Sequence, residues 1–169
     1  MKLFYFIIII STSMSMFSQN RIIFDEKKNQ DILFGECDKK AFLIPKFSEW
    51  YNAEYSNYKV NDSVYEASYK TKFDSIYVFL GTWCEDSRRE IPRFIKIVEN
   101  LYFKDVKLRF FCIDGNKKCD IIDPEDYYVQ FVPTIIFYYR GEELCRVIET
   151  PRTGSLEGDI LDLLSRINF

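Results

Sequence analysis

The sequence predicts an α/β fold of three layers, with a mixed central sheet and an N-terminal helical extension. Three observations carry that expectation. Uninterrupted apolar runs recur after residue 75, as in Ile76-Tyr77-Val78-Phe79-Leu80 and Thr134-Ile135-Ile136-Phe137-Tyr138-Tyr139; strands buried on both faces read this way. Between the first two such runs, Ile91, Phe94, Ile95, Val98 and Leu101 fall at helical spacing, which makes a strand–helix–strand unit and hence a parallel strand pair. Gly141-Glu142 then makes a turn between two further strand-like segments, which adds antiparallel strands.

Residues 1–18 read as an export signal: Lys2, the apolar run Leu3 to Ile10, then the small-residue stretch Ser11 to Ser18. The run falls short of the ~20 apolar residues that span a bilayer. Cleavage near Ser18 and a periplasmic or secreted protein are therefore expected, with an uncleaved anchor as the alternative. Residues 19–72 form the extension. Trp50, Tyr51, Tyr55 and Tyr58 recur at three- and four-residue spacing, and Val64, Tyr65 and Tyr69 behave similarly. The extension is thus expected to be mostly helical, with its aromatic stripes in the core. Residues 73–169 hold the layered domain. Its strands are expected at 76–80, 106–113, 134–140 and 144–148, and its helices at 85–102 and, in short form, 124–130. A last helix is N-capped by Ser155 and carries Leu156, Ile160, Leu163, Leu164 and Ile167 on one face.

A chain of 169 residues is long enough for a real core, and 47% hydrophobic with 18% aromatic residues argues against disorder. A net charge of −3 without a Lys/Arg cluster argues against nucleic acid as a partner. The chain contains no histidine, which removes the commonest general base and the commonest zinc ligand. Glycine-rich phosphate loops and a G-x-S-x-G elbow are also missing, so no cofactor is expected. The five cysteines are Cys37, Cys84, Cys112, Cys119 and Cys145. No two form a C-x-x-C pair, and the odd number leaves at least one unpaired in a monomer. In an exported protein the others could form disulfides, and Cys37 is one candidate for a bridge to another thiol.

Cys84 stands where an apolar strand passes into a helix. Free N–H groups and the positive end of that helix favour a thiolate there, as do Arg88 and Arg89, while Glu85 and Asp86 oppose it. The bland alternative is a buried, inert cysteine.

Trp83-Cys84-x-x-Ser87, followed by Pro92, resembles the active site of the thioredoxin-like superfamily, W-C-x-x-C at the start of a kinked helix. Phe131-Val132-Pro133-Thr134 resembles the cis-proline loop of the same superfamily, before a strand and a hairpin. The resemblance implies a thioredoxin-like domain over residues 73–169. It also implies that the loop at Val132 and Pro133 packs against Cys84 and, with Trp83, receives an extended peptide. Two departures matter. Ser87 replaces the resolving cysteine, and its hydroxyl is left to donate a hydrogen bond to Cys84. Val78 stands where the superfamily keeps a buried acid. A standard dithiol reductase is therefore excluded.

Two functions stay open. One is an exported monothiol thiol–disulfide oxidoreductase or isomerase with Cys84 and Ser87 as its catalytic residues. Its partners would be protein thiols or disulfides and a membrane reductant, and Cys119 in a loop is a candidate resolving thiol. The other is a catalytically decayed module that binds extended peptide at the cis-proline groove. A peroxidase is disfavoured because Gly81-Thr82-Trp83 does not match the resembling motif, and a metal site because one thiol lacks companion ligands.

Overall fold

The computed structural model describes residues 20–61, 73–100 and 106–166. The segment 1–18, read as an export signal, and the second helix expected around Val64, Tyr65 and Tyr69 lie outside these residues. Six strands form one sheet: β1 (Arg21–Asp25), β2 (Gln30–Cys37), β3 (Ser75–Leu80), β4 (Lys107–Cys112), β5 (Thr134–Tyr139) and β6 (Glu142–Ile148). The spatial order is β1-β2-β4-β3-β5-β6. Among the described residues only β3 and β4 are parallel; every other pairing is antiparallel. The parallel pair follows from the crossover helix α2 (Glu85–Asn100) between its strands. Among the described residues two more α-helices are present, α1 (Pro45–Asn57) and α3 (Leu156–Arg166).

Within the described residues 20–61, two strands that the sequence did not signal precede the expected helix. Arg21–Asp25 and Gln30–Cys37 pair in register from Arg21↔Phe34 to Asp25↔Gln30, and β2 continues the sheet by pairing Cys37 with Phe110 on β4. The turn between them closes with Asn29 at φ 51, a left-handed conformation that asparagine tolerates better than most residues. Only after this hairpin does the expected helix appear. Pro45 starts α1, where its missing N–H costs nothing. At the other end, Lys96 Nζ donates to the carbonyls of Tyr55 and Tyr58 at 2.7 Å each, placing a cation where the dipole is negative. Arg93 adds two bonds to Glu54, so α1 is bound to α2 along a polar seam.

Alternation along the strands splits the core in two. Val78, Leu80, Phe110, Cys112, Ile135 and Phe137 face the helices, where they meet Phe47 and Tyr51 of α1, Ile91 and Phe94 of α2, and Leu156 and Ile160 of α3. Phe42 sits at the centre of this layer, stacked on Tyr51 at 5.8 Å and edge-on to Phe110 at 5.6 Å. Phe79, Phe111, Ile113 and Ile136 face the opposite way, towards Val129 and Val132. That third layer is the connection between β4 and β5. The short helix expected over 124–130 is a 3-10 turn, Pro124–Tyr127, begun by Asp123 and stopped by Tyr128 at φ 53. Ser155 caps α3 as expected, accepting the Gly158 N–H at 3.0 Å.

Candidate functional site

β3 and α2 fix the position of Cys84. The Gly81-Thr82-Trp83 turn reverses the chain, and Cys84 donates its N–H to the Gly81 carbonyl at 2.9 Å. Its own carbonyl accepts the Arg88 N–H at 3.0 Å, the first turn of α2. Cys84 therefore caps the helix, and its sulfur lies where backbone N–H groups have no intrahelical acceptor. Pro92 has no N–H to give the Arg88 carbonyl, a break in the ladder about two turns into the helix.

The connection before β5 faces this turn. The Val132–Pro133 peptide bond is cis, and the Cys84 Sγ–H donates to the Val132 carbonyl at 3.1 Å. Two bonds hold the loop: Thr134 Oγ1 donates to the Phe131 carbonyl at 2.7 Å, and the Glu149 N–H donates to the Pro133 carbonyl at 2.7 Å. Cys84 is half-buried and packs against the cluster that contains Val132, Ile113 and Phe79.

Trp83 is locked from three sides. Its Nε1–H donates to the Ile113 carbonyl at 3.0 Å, and Lys28 Nζ lies 3.8 Å from the ring centroid. Gly81 leaves the third side open: a Cβ there would meet the indole Cε2 at 2.6 Å. Lys28 comes from the turn of the N-terminal hairpin. Asp25 positions that turn, accepting the Lys28 N–H at 2.9 Å and, across the sheet end, the Gly115 N–H at 2.5 Å. Burial raises the Asp25 carboxyl, but hydrogen bonds from the backbone N–H groups of Gly115, Lys28 and Lys27 outweigh it and hold it below its ordinary 3.8.

Ser87 is 1% exposed, and its Oγ accepts the Gly81 N–H at 3.2 Å. The hydroxyl thus braces the turn, in place of the expected bond to Cys84. The two arginines are also engaged away from the sulfur. Arg88 donates to the Thr82 carbonyl at 2.6 Å and to Gln30 at 2.9 Å, while Arg89 pairs with Asp86 at 2.6 Å and Glu90 at 2.7 Å. The arginine assistance expected from sequence is therefore consumed by neighbouring carbonyls and carboxylates. Lys28 is the cation that sequence reasoning missed. It reaches Trp83 only because the hairpin folds back, and no local pattern signals that.

Cys119 is half-buried against the same cluster as Cys84, but no contact joins the two sulfurs. Burial pushes its thiol up, partly countered by the N–H groups of Ile121 and Ile122. Val78 is fully buried among apolar residues. Among the described residues no three His, Cys, Asp or Glu side chains converge as a metal site, and no helix is long and apolar enough to cross a membrane. Beside the Val132–Pro133 loop stands an aromatic rim: Tyr128 is 81% exposed and Phe131 49%, with Lys117 Nζ 5.4 Å from the Phe131 ring.

A mixed sheet in this order, a cysteine at the β3–α2 junction and a Val-Pro loop across from it define a thioredoxin-like fold. No described family matches the sequence, and no curated protein does. Among solved structures the chain is similar to an HIV epitope-scaffold at 15% identity and a TM-score of 0.50, over 70% of this chain and 79% of that one. It is similar over the same shares to a protein of unknown function from Pseudomonas aeruginosa, at 15% identity and a TM-score of 0.49. Thioredoxin O1 from Arabidopsis thaliana aligns at 18% identity over 65% of this chain and 94% of its own, with a TM-score of 0.41. At these identities the likeness concerns the fold alone.

Proposed function

We propose that the protein is an exported monothiol thiol–disulfide oxidoreductase or isomerase that works through Cys84. One observation carries the reading: the Cys84 sulfur sits at the N-terminus of α2, 3.1 Å from the Val132 carbonyl of the loop. Deprotonated Cys84 attacks one sulfur of a substrate disulfide. The substrate S–S bond breaks, the other substrate sulfur leaves as a thiolate and takes a proton from water, and a mixed disulfide remains. With Ser87 in place of a second cysteine, the mixed disulfide waits for an outside nucleophile. An external thiol completes a reduction; a second thiol of the same substrate completes an isomerisation. Protein thiols or disulfides are the partners, with a membrane reductant as the electron source. Cys119 would resolve the intermediate only if the loop carrying it moved towards Cys84.

The test is to incubate the reduced chain with a disulfide-linked peptide, quench in acid, and measure intact mass. An adduct on Cys84, lost in Cys84→Ser, is expected. No adduct across the pH range of thiol reactivity would sink the catalytic reading. Peptide binding that survives Cys84→Ser would then favour the alternative, a peptide-binding module. The exposed rim of Tyr128 and Phe131 and the engaged arginines are the observations on that side.

A further inference from the structure

Cys37 closes β2 and Cys112 closes β4. The strands are antiparallel neighbours, with Cys37 opposite Phe110 and Gly35 opposite Cys112, so the two cysteines are a diagonal pair. Both side chains face the helix layer, 4% and 0% exposed. Their sulfurs are 2.9 Å apart. A disulfide bond is about 2.05 Å long, so closing it brings the two sulfurs together by roughly an ångström. Cys84 plays no part in this pair: it packs on the other face of the sheet.

We propose that Cys37 and Cys112 form a disulfide that staples the N-terminal hairpin to the central sheet. The acceptor is a disulfide, either a small molecule such as oxidised glutathione or an oxidising protein. The Cys37 thiolate attacks one acceptor sulfur, breaking the acceptor S–S bond and releasing one thiol. The Cys112 thiolate then attacks the Cys37 sulfur of the mixed disulfide and releases the second. The two cysteines are oxidised by two electrons together, and their two protons end on the two acceptor thiols. Burial, followed by the contact with Cys37, raises the Cys112 thiol well above its ordinary range, which suppresses the nucleophile in the closed protein. Both sulfurs are buried, so the finished bridge is shielded from reductants.

The experiment uses the full chain refolded in a glutathione redox buffer, then unfolded without reductant in the presence of an alkylating agent and digested. The expected product is a peptide linking Cys37 to Cys112, with Cys84, Cys119 and Cys145 outside any protein disulfide, each alkylated or carrying glutathione. Alkylation of all five cysteines, or a bridge between other residues, would overturn the proposal. Cys84→Ser should give the same linked peptide, which separates this result from the fate of the Cys84 reading. The staple itself is read by melting. Its ends are 75 positions apart in sequence, and a loop of that length predicts a Tm about 10 °C higher for the oxidised chain than for the Cys37→Ala/Cys112→Ala chain. Equal melting temperatures would refute the stapling role; if the double variant fails to fold, the reduced wild-type chain is the reference.

Discussion

Asp25→Asn tests how the N-terminal hairpin supports the site. The carboxylate is 6% exposed and accepts the Lys28 N–H on one oxygen and the Gly115 N–H on the other. Asparagine keeps one acceptor and turns an NH2 group towards a backbone donor. One charge-assisted bond is lost and the other becomes neutral; such bonds contribute about 1.5–3 kcal/mol and their neutral counterparts about 1, so a cost of about 2–3 kcal/mol is expected at pH 7. The pH dependence gives the sharper signature. The folded-state carboxyl lies below its ordinary 3.8, so its contribution is complete above the unfolded value and is lost as pH falls through the folded one. Urea melts of wild type and Asp25→Asn should therefore differ by a constant amount from pH 7 to about pH 5 and converge below about pH 4. A difference under about 0.5 kcal/mol at pH 7, or one that persists unchanged to pH 2, would refute the reasoning.

Other perturbations follow from the same geometry. Gly81→Ala drives a methyl into the Trp83 indole, so the bond to the Ile113 carbonyl should break; a red shift of tryptophan emission and a loss of about 1–3 kcal/mol are expected. Phe42→Ala empties the ring position between Tyr51 and Phe110, and should cost about 3–5 kcal/mol in a denaturant titration. Burial, with Glu143 nearby, pushes the Cys145 thiol up to about 12, so its alkylation in the folded chain should stay slow until pH passes roughly 10. Peptide mapping of native alkylation would show that prediction wrong if Cys145 reacted at neutral pH.

Much of this was legible in the sequence. β3 and β5 are largely buried and read as apolar runs, and α2 presents its buried Ile91, Phe94 and Ile95 at helical spacing. Trp83, Cys84 and the Val132–Pro133 loop are named by local motif. The N-terminal hairpin was not legible for a physical reason. β1 is an edge strand with Ile22 and Phe24 exposed, and β2 buries Ile32 and Leu33 side by side, so neither shows a clean period of two. Its turn, Glu26-Lys27-Lys28-Asn29, lacks the glycine that marks tight hairpins. The roles of Ser87, Arg88 and Lys28 depend on where that hairpin lands, so they were hidden with it.

The seating of β2 on β4 also sets an order of assembly. The hairpin closes on itself through neighbours in sequence, and β3, α2 and β4 form a local crossover. The join between these two pieces links Gly35, Glu36 and Cys37 to Phe110, Phe111 and Cys112, a separation of some 75 positions. Such non-local pairing raises contact order and slows folding. Until β4 has been synthesised, β2 has an open edge and nothing of its own to pair with there, which is the state most exposed to association with another chain. The first strands made are thus among the last to be secured.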